Sequence, residues 1–216
     1  MTDTDPLDAT RAFYDTVAED YADHFRNPLA GRPLERALLG AYAELVGPGA
    51  PVADLGCGPG DVTAHLAGLG LSVFGLDLSE SMLTVARRAH PALRFEQGSM
   101  LDLPIEDGSL AGVVSWYSSI HTPLDELPAL FAEFHRVLAD GGHLLLAFQC
   151  GELPLSVDRP WGHPVSLDFQ RRRPEQMADL LADAGFSVRS STVRAVDVQH
   201  GESAVPQAFL LAQKEG

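Results

Sequence analysis

The chain has 216 residues, 45% of them hydrophobic, which is enough for one domain with a sizeable buried core. Thirty acidic side chains against fifteen basic ones give a formal net charge of -15. Such a charge repels nucleic-acid phosphates and anionic membrane surfaces, so we expect neither as a partner.

Two amphipathic helices are predicted ahead of the first strand. Between Asp8 and Phe25, aromatic and apolar residues recur three and four positions apart, which is the helical period. A second helix is predicted from Pro33 up to the Gly-Pro-Gly stop at residues 47–49. We interpret residues 1–47 as a helical cap.

A doubly wound α/β core is predicted for residues 48–149, because short β-type runs alternate with helical segments there. Such alternation is typical of a parallel sheet covered by helices on both faces. The predicted strands span residues 51–55, 72–76, 93–96 and 110–116, with a fifth near 143–148 after a turn at 140–142, and the predicted helices span 60–69, 79–89 and 125–138.

In the last third of the chain, the alternation of predicted strands and helices is interrupted and then continues. Residues 150–170 contain several prolines and show no helical or strand period, so we predict a surface excursion, of the kind that often covers a site. Residues 171–216 are predicted to form a C-terminal helix and hairpin, so that residues 1–216 make a single domain. The predicted elements are a helix at 174–184 capped by Gly185, and strands near 186–194 and 204–213.

The cysteines and the first residues favour a reducing cytoplasm. Cys57 and Cys150 form no CxxC pair and no cluster with histidine, so we expect neither a disulfide framework nor a metal site. The first dozen residues are polar and acidic and lack the order of a secretory signal. No apolar run approaches the roughly twenty residues that a membrane-spanning helix requires. We therefore predict a cytoplasmic protein that is not embedded in a membrane.

A glycine-rich segment, VADLGCGPG at residues 52–60, predicts a ligand-binding loop at the carboxyl end of the first strand. Asp77 ends the second strand 21 positions after Gly56, where a carboxylate can accept hydrogen bonds from both hydroxyls of a ribose. Asp54 lies inside the first strand, where an ionised carboxylate is costly without a partner such as a cationic ligand group. The pattern predicts a ligand that contains adenosine.

These motifs resemble those of the class I S-adenosylmethionine-dependent methyltransferases, from about Tyr14 to the C-terminus. VADLGCGPG (52–60) resembles the family's first motif, GLDLSESML (75–83) its second, and VVSWYSSIHTP (113–123) its fourth-strand motif. The resemblance implies a Rossmann-like sheet of seven mostly parallel strands with an antiparallel C-terminal strand. It also implies S-adenosyl-L-methionine as cofactor, S-adenosyl-L-homocysteine as product, and a small-molecule methyl acceptor.

The resemblance further implies which residues hold the cofactor. Asp54 and the loop backbone would hold the methionine part, Asp77 the ribose, and the backbone carbonyl of Ser115 the methionine amine. Ser99 stands where the family usually has an aspartate that accepts a hydrogen bond from the adenine amino group, and a serine hydroxyl can also accept that bond. The predicted set is Tyr14 and Tyr21 from the cap, Asp54, Gly56, Cys57, Gly58 and Gly60 from the loop region, Asp77, Leu78 and Met82, Ser99, Met100 and Leu101, and Ser115.

Methyl transfer from a sulfonium is an in-line displacement, to which an enzyme contributes largely by positioning the acceptor. Where the acceptor must lose a proton, histidine is the base best matched to neutral pH, and His121 after the fourth strand is our candidate. Local packing is the alternative role for His121, as simple helix packing is for the two cap tyrosines.

Other side chains are candidates for the acceptor region. Four aromatic residues are candidate walls of an apolar acceptor pocket, with core packing as the alternative. The basic run Arg171–Arg173 favours an acidic acceptor or partner if it is functional, although most such runs are simply solvated. The four aromatic candidates are Trp116, Tyr117, Trp161 and Phe169.

Two rival functions remain open. A nicotinamide-dependent oxidoreductase also uses a glycine-rich turn, but its GxGxxG pattern would require glycine at position 61, where this chain has Asp61. An aspartate there also places negative charge at the helix N-terminus that should hold a pyrophosphate. The second rival is a non-catalytic S-adenosylmethionine-binding protein, which the fold by itself does not exclude.

Overall fold

The computed structural model describes residues 5–196 and 205–216. The extreme N-terminus and the predicted start of the last strand at residue 204 lie outside the described residues. Helices α1 (Pro6–His24) and α2 (Pro33–Val46) each begin with a proline, whose missing N–H costs nothing at a first helical position. The Asp5 side chain also caps α1 by accepting a hydrogen bond from the backbone N–H of Leu7 at 2.9 Å.

The main sheet has seven strands, and its order is β3-β2-β1-β4-β5-β9-β8. Strands β1 to β5 pair in parallel, whereas β9 lies antiparallel to both β5 and β8. The predicted fold class is therefore confirmed. The strands are β1 (Pro51–Leu55), β2 (Ser72–Asp77), β3 (Arg94–Gln97), β4 (Leu110–Trp116), β5 (Leu138–Gln149), β8 (Phe186–Arg194) and β9 (Gln207–Lys214).

Helices cover both faces of this sheet and bury two large apolar clusters. The larger cluster packs α5 and α6 against the inner strands, with Phe131, Phe134 and Phe148 fully buried. The second packs α2 and α3 on the opposite face around Tyr42 and Leu66. The remaining helices are α3 (Asp61–Gly68), α4 (Glu80–Ala89), α5 (Leu127–Val137) and α6 (Pro174–Asp183).

Residues 150–170 contain regular structure that the sequence analysis did not predict. Strands β6 (Leu155–Asp158) and β7 (Ser166–Phe169) pair antiparallel as a separate two-stranded sheet. The prediction that this segment shows no strand was therefore wrong. The two strands have four residues each, which is too few to show a clear two-residue period, and the segment that joins them contains Pro160 and Pro164.

The predicted turn at 140–142 is a bulge within β5 and not its start. The pairing of β5 with β4 begins at Leu138 and resumes at His143, and Gly141 between them has φ +77°. Glycine tolerates this left-handed conformation, so the strand can bend there and continue.

Candidate active site

A cavity of about 780 Å³ lies at the carboxyl ends of the parallel strands, beneath α1 and the β6–β7 hairpin. Ligands of open α/β sheets bind at this edge, and the volume is typical of small-molecule sites. Its walls come from the glycine loop, the ends of β2, β3 and β4, the cap and the hairpin. The cavity therefore joins segments that are far apart in sequence.

The glycine loop after β1 fits closely against the segment after β4. Gly56 has φ +70°, and a Cβ built there would lie 2.2 Å from the Cβ of Ser118. The Ser118 hydroxyl donates a hydrogen bond to the carbonyl of Leu55 at 2.6 Å and lies 2.8 Å from the Ser115 hydroxyl. Only glycine combines the required φ with this close approach, so the loop keeps bare backbone at the cavity wall.

Asp77 lies at the cavity wall at the end of β2. Its two carboxylate oxygens accept hydrogen bonds from the backbone N–H of Gly58 at 2.8 Å and of Ser79 at 2.9 Å. Burial raises the pKa of Asp77, and these backbone hydrogen bonds partly offset the rise. The carboxylate also lines the cavity, where it can accept hydrogen bonds from ligand hydroxyls such as those of a ribose.

Asp54 is almost completely buried in β1, behind the glycine loop, and does not line the cavity. Its Oδ2 accepts a hydrogen bond from the Thr63 hydroxyl at 2.6 Å, whereas Oδ1 accepts none from the residues that the structure describes. Burial raises the pKa of Asp54 to about 7, although the Thr63 hydrogen bond opposes the change. A buried carboxylate with an unpaired oxygen favours a positively charged group nearby, such as a cationic group of a ligand at the cavity wall.

An apolar slot opens beside Asp77, where Leu78 and Met82 face the segment that follows β3. Met82 is buried, and Ser99 accepts a hydrogen bond from the backbone N–H of Leu101 through its hydroxyl oxygen at 3.2 Å. That hydroxyl keeps its hydrogen and a second lone pair for a ligand. The slot can therefore hold a flat ring between apolar side chains.

The cap tyrosines also line the cavity. Tyr14 and Tyr21 pack edge to face with ring centroids 5.8 Å apart, and the Tyr14 hydroxyl lies 2.7 Å from Nε2 of His121. Burial raises the pKa of Tyr21 to about 12 and raises the pKa of Tyr14 well above its ordinary value, with the negative charge of Asp77 adding to both shifts. Both phenols are therefore neutral at physiological pH.

His121 ends the short 3₁₀ helix Ser119–His121 and is enclosed by aromatic rings. Its ring centroid lies 5.2 Å from that of Tyr14 and 4.9 Å from that of Phe169. Burial lowers the pKa of His121 to about 3, because a charged imidazolium would lose its hydration there. His121 is therefore neutral and lines the cavity.

The hairpin closes over the cavity and contacts α1. Trp161, between β6 and β7, packs edge to face on Tyr21 and His24, with centroids 6.5 and 5.6 Å apart. His163 in the same segment lies 2.7 Å from the Asp20 carboxylate of α1. The aromatic candidates Trp116, Tyr117, Trp161 and Phe169 all line the cavity.

Most residues predicted for the site meet at this one cavity. Three of them do not line it: Asp54 and Ser115 are buried behind it, and the backbone of Gly60 lies against Phe95. The lining members are Tyr14, Tyr21, Gly56, Cys57, Gly58, Asp77, Leu78, Met82, Ser99, Met100, Leu101 and His121.

Some lining residues were not predicted from the sequence. Phe13 faces the cavity beside Tyr14, and Leu155 and Val157 face it from the hairpin. The Leu-Ser-Val alternation at 155–157 spans only three residues, too few to predict a strand that faces the cavity. The predicted solvation of the basic run was wrong at Arg172, which is buried and donates a hydrogen bond to the carbonyl of Thr122 at 3.2 Å.

Comparisons with known proteins agree with this geometry. The sequence profile of a methyltransferase domain family matches residues 52–142, from the glycine loop to the bulge in β5. This part of the chain is similar to methyltransferase domains. The family and cofactor expected from the motifs are thereby supported.

Two curated relatives and one solved structure illustrate the similarity. An uncharacterised transposon protein of Streptomyces fradiae is 32% identical over 82% of this chain and 55% of its own length. The demethylmenaquinone methyltransferase of Chlorobaculum tepidum is 32% identical over 61% of this chain and 56% of its own length. The magnesium protoporphyrin IX methyltransferase of Synechocystis shares the fold with a TM-score of 0.72 at 20% identity, with both chains covered completely.

The chain spans about half the length of the curated relatives it matches. Among the described residues, no helix is both long and apolar enough to cross a membrane. Across residues 5–196 and 205–216, no three histidine, cysteine or acidic side chains are grouped so that they could hold a metal ion.

Proposed function

We propose that this protein transfers a methyl group from S-adenosylmethionine to a small-molecule acceptor. One observation carries the proposal: a single cavity connects the glycine loop and Asp77 with an aromatic chamber at His121 and Phe169. The first part has the donors and acceptors that an adenosyl ligand needs. The second part offers space and an uncharged nitrogen base to an acceptor.

The residues on the cofactor side fit S-adenosylmethionine. Oδ1 of Asp54 has no hydrogen-bond partner among the described residues, and its carboxylate, buried behind the glycine loop, would favour a positively charged ligand group at the cavity wall in front of it. The close approach of Gly56 to Ser118 keeps the wall free of side chains. Asp77 would hold the ribose, and Leu78 and Met82 would cover one face of the adenine.

When bound, S-adenosylmethionine supplies a methyl group activated by a sulfonium. The protein's contribution is then to hold the acceptor in line with that group and to keep water away. Helix α1 and the β6–β7 hairpin lie over the cavity and reduce its exposure to water. We assign His121 as the base that takes the acceptor's proton, because it is neutral and lines the acceptor side.

The proposed acceptor is a small molecule because the cap and the hairpin partly cover a cavity of about 780 Å³. The net charge of -15 also disfavours a nucleic acid. Two relatives that act on different small molecules, demethylmenaquinone and magnesium protoporphyrin by name, support the same class.

Titration calorimetry with S-adenosylmethionine, S-adenosylhomocysteine and NADH tests the cofactor assignment. We expect both adenosyl compounds to bind and NADH not to bind. Binding of NADH without adenosyl binding would instead identify a nicotinamide site. Formation of S-adenosylhomocysteine in the presence of pooled candidate acceptors then tests turnover, and adenosyl binding without any turnover would favour the non-catalytic rival.

A further inference from the structure

A recess adjoins the apolar slot beside Asp77, between helix α1 and the segment after β3. It is lined by Arg11, Leu78, Gln97, Gly98 and Ser99. All of these except Gln97 also line the main cavity, so the recess and the slot are continuous. Its lining contains a cation and a hydroxyl but no carboxylate.

Arg11 lines the recess from helix α1. Its Nη1 donates a hydrogen bond to Oδ1 of Asp8 at 3.0 Å, and both side chains of this ion pair are largely exposed. Such a pair contributes little to stability. A guanidinium carries five N–H donors, and the contact with Asp8 engages only Nη1. Arg11 can therefore donate to a ligand in the recess.

The Ser99 hydroxyl can both donate and accept. Its oxygen accepts a hydrogen bond from the backbone N–H of Leu101 at 3.2 Å, which fixes the side chain and leaves the hydroxyl hydrogen for another acceptor. The acidic residues on either side along the chain, Glu96 and Asp102, line neither the recess nor the cavity. The polar side chains at this end of the slot therefore differ from a carboxylate, which only accepts.

Purines with an amino group at C6 and purines with an oxygen there need different hydrogen-bond partners. The amino group of adenine donates, whereas the oxygen of hypoxanthine accepts. N1 accepts in adenine and donates in hypoxanthine. A carboxylate suits the amino group and repels the oxygen, whereas arginine is a common partner of an oxygen at C6. Because a hydroxyl can donate or accept, Ser99 suits either base.

We propose that Arg11 and Ser99 contact the edge of the purine, and that the site binds a nucleoside thioether carrying hypoxanthine about as well as one carrying adenine. This inference rests on the proposed use of S-adenosylmethionine. It adds Arg11 as a binding residue and nucleosides of 6-oxopurines as a ligand class. Leu78 and Met82 would cover either base equally, because the two ring systems have the same shape.

Titration calorimetry with S-adenosyl-L-homocysteine and S-inosyl-L-homocysteine tests the ligand class. The two compounds differ only in the base, in which an oxygen replaces the amino group and N1 gains a hydrogen. We expect their dissociation constants for the wild-type protein to agree within about fivefold. A larger loss of affinity for the inosyl compound would overturn the inference.

Ser99→Asp places a group that only accepts beside the purine edge. It should weaken binding of the inosyl compound about tenfold or more relative to the adenosyl compound, because the carboxylate faces an oxygen in place of an amino group. Ser99→Thr keeps the hydroxyl and should keep the wild-type ratio of affinities. A ratio in Ser99→Asp equal to that of the wild type would contradict the position of Ser99 at the purine edge.

Arg11→Met keeps an apolar stem and removes the donors. It should weaken binding of the inosyl compound about tenfold and that of the adenosyl compound less, because only hypoxanthine has an acceptor at C6. Asp8→Ala breaks the same ion pair but keeps the guanidinium, and Asp8 lines neither the cavity nor the recess. Its affinities should stay within about twofold of the wild type. Unchanged binding in Arg11→Met, or an equal loss in Asp8→Ala, would overturn the role of Arg11.

The inference and the proposed function fail in distinguishable ways. If S-adenosyl-L-homocysteine does not bind to the wild-type protein, the proposed methyl transfer fails. If it binds but the inosyl compound is rejected, only the inference about the purine edge fails.

Discussion

Replacing Asp54 by asparagine should stabilise the free protein and weaken cofactor binding at the same time. The carboxylate is almost completely buried, and its pKa of about 7 lies well above the ordinary value of 3.8. The folded protein therefore holds this proton more tightly than the unfolded chain does. Consequently its contribution to stability falls as pH rises from about 4 to about 7, by ~4 kcal/mol in total.

Asparagine keeps the size of the side chain and can still accept the Thr63 hydrogen bond, but it cannot ionise. The gain in unfolding free energy of Asp54→Asn over the wild type should thus grow by ~4 kcal/mol between pH 4 and pH 8. Urea unfolding across this pH range measures the difference. Asp183→Asn, at an exposed position of α6, is the matched control and should follow the wild-type curve.

Calorimetry supplies the second half of the test. A cationic ligand favours the ionised carboxylate, so wild-type affinity for S-adenosylmethionine should fall as the pH drops below about 7, and binding there should release a proton. Asp54→Asn should bind more weakly at pH 8 and lose this dependence. Parallel stability curves for Asp54→Asn and the wild type, or identical binding profiles, would refute the argument that Asp54 is kept for a cationic ligand.

Three further substitutions test the site and the contacts that support it. Asp77→Asn should weaken S-adenosylmethionine binding by about 1–3 kcal/mol in calorimetry, because charge-assisted hydrogen bonds are lost, and unchanged affinity would exclude the ribose assignment. Gly56→Ala should destabilise the protein in thermal unfolding far more than Gly58→Ala. A new Cβ at Gly56 would lie 2.2 Å from the Cβ of Ser118, whereas a Cβ at Gly58 would meet nothing within 4 Å. Equal effects of the two substitutions would contradict this close contact. Glu35→Gln removes the buried carboxylate that lies 2.8 Å from the Arg194 side chain, and it should destabilise the protein in urea unfolding by more than the ~1 kcal/mol typical of a surface ion pair. A smaller cost would mark the pair as equivalent to a surface ion pair.

The local pattern of the chain was sufficient to predict the sheet and one half of the site. Alternating β-type and helical segments identified the strands of the core to within a residue or two at most ends, because burial on both faces imposes continuous apolar runs. The glycines at 52–60 and the acidic residue ending β2 predicted the cofactor edge, since strand ends meet there whatever the details of packing.

The acceptor half could not be predicted in the same way, because its geometry depends on contacts between distant segments. Nothing near Tyr14 indicates that its hydroxyl meets His121, and nothing near Gly56 indicates that Ser118 fills the space beside it. The strands at 155–158 and 166–169 are short, and a ribbon of two strands depends on packing against other elements.

The amino-acid sequence by itself therefore determined the fold class, the core strands along the chain and the resemblance to methyltransferases, because periodicity and turn chemistry are local properties of a chain. Only the tertiary structure decided that Tyr14 meets His121, and that Asp54 lies behind the cavity wall while Asp77 lies on it. These features follow from how helix α1 and the hairpin pack over the sheet edge, and packing of this kind is set by the whole chain at once.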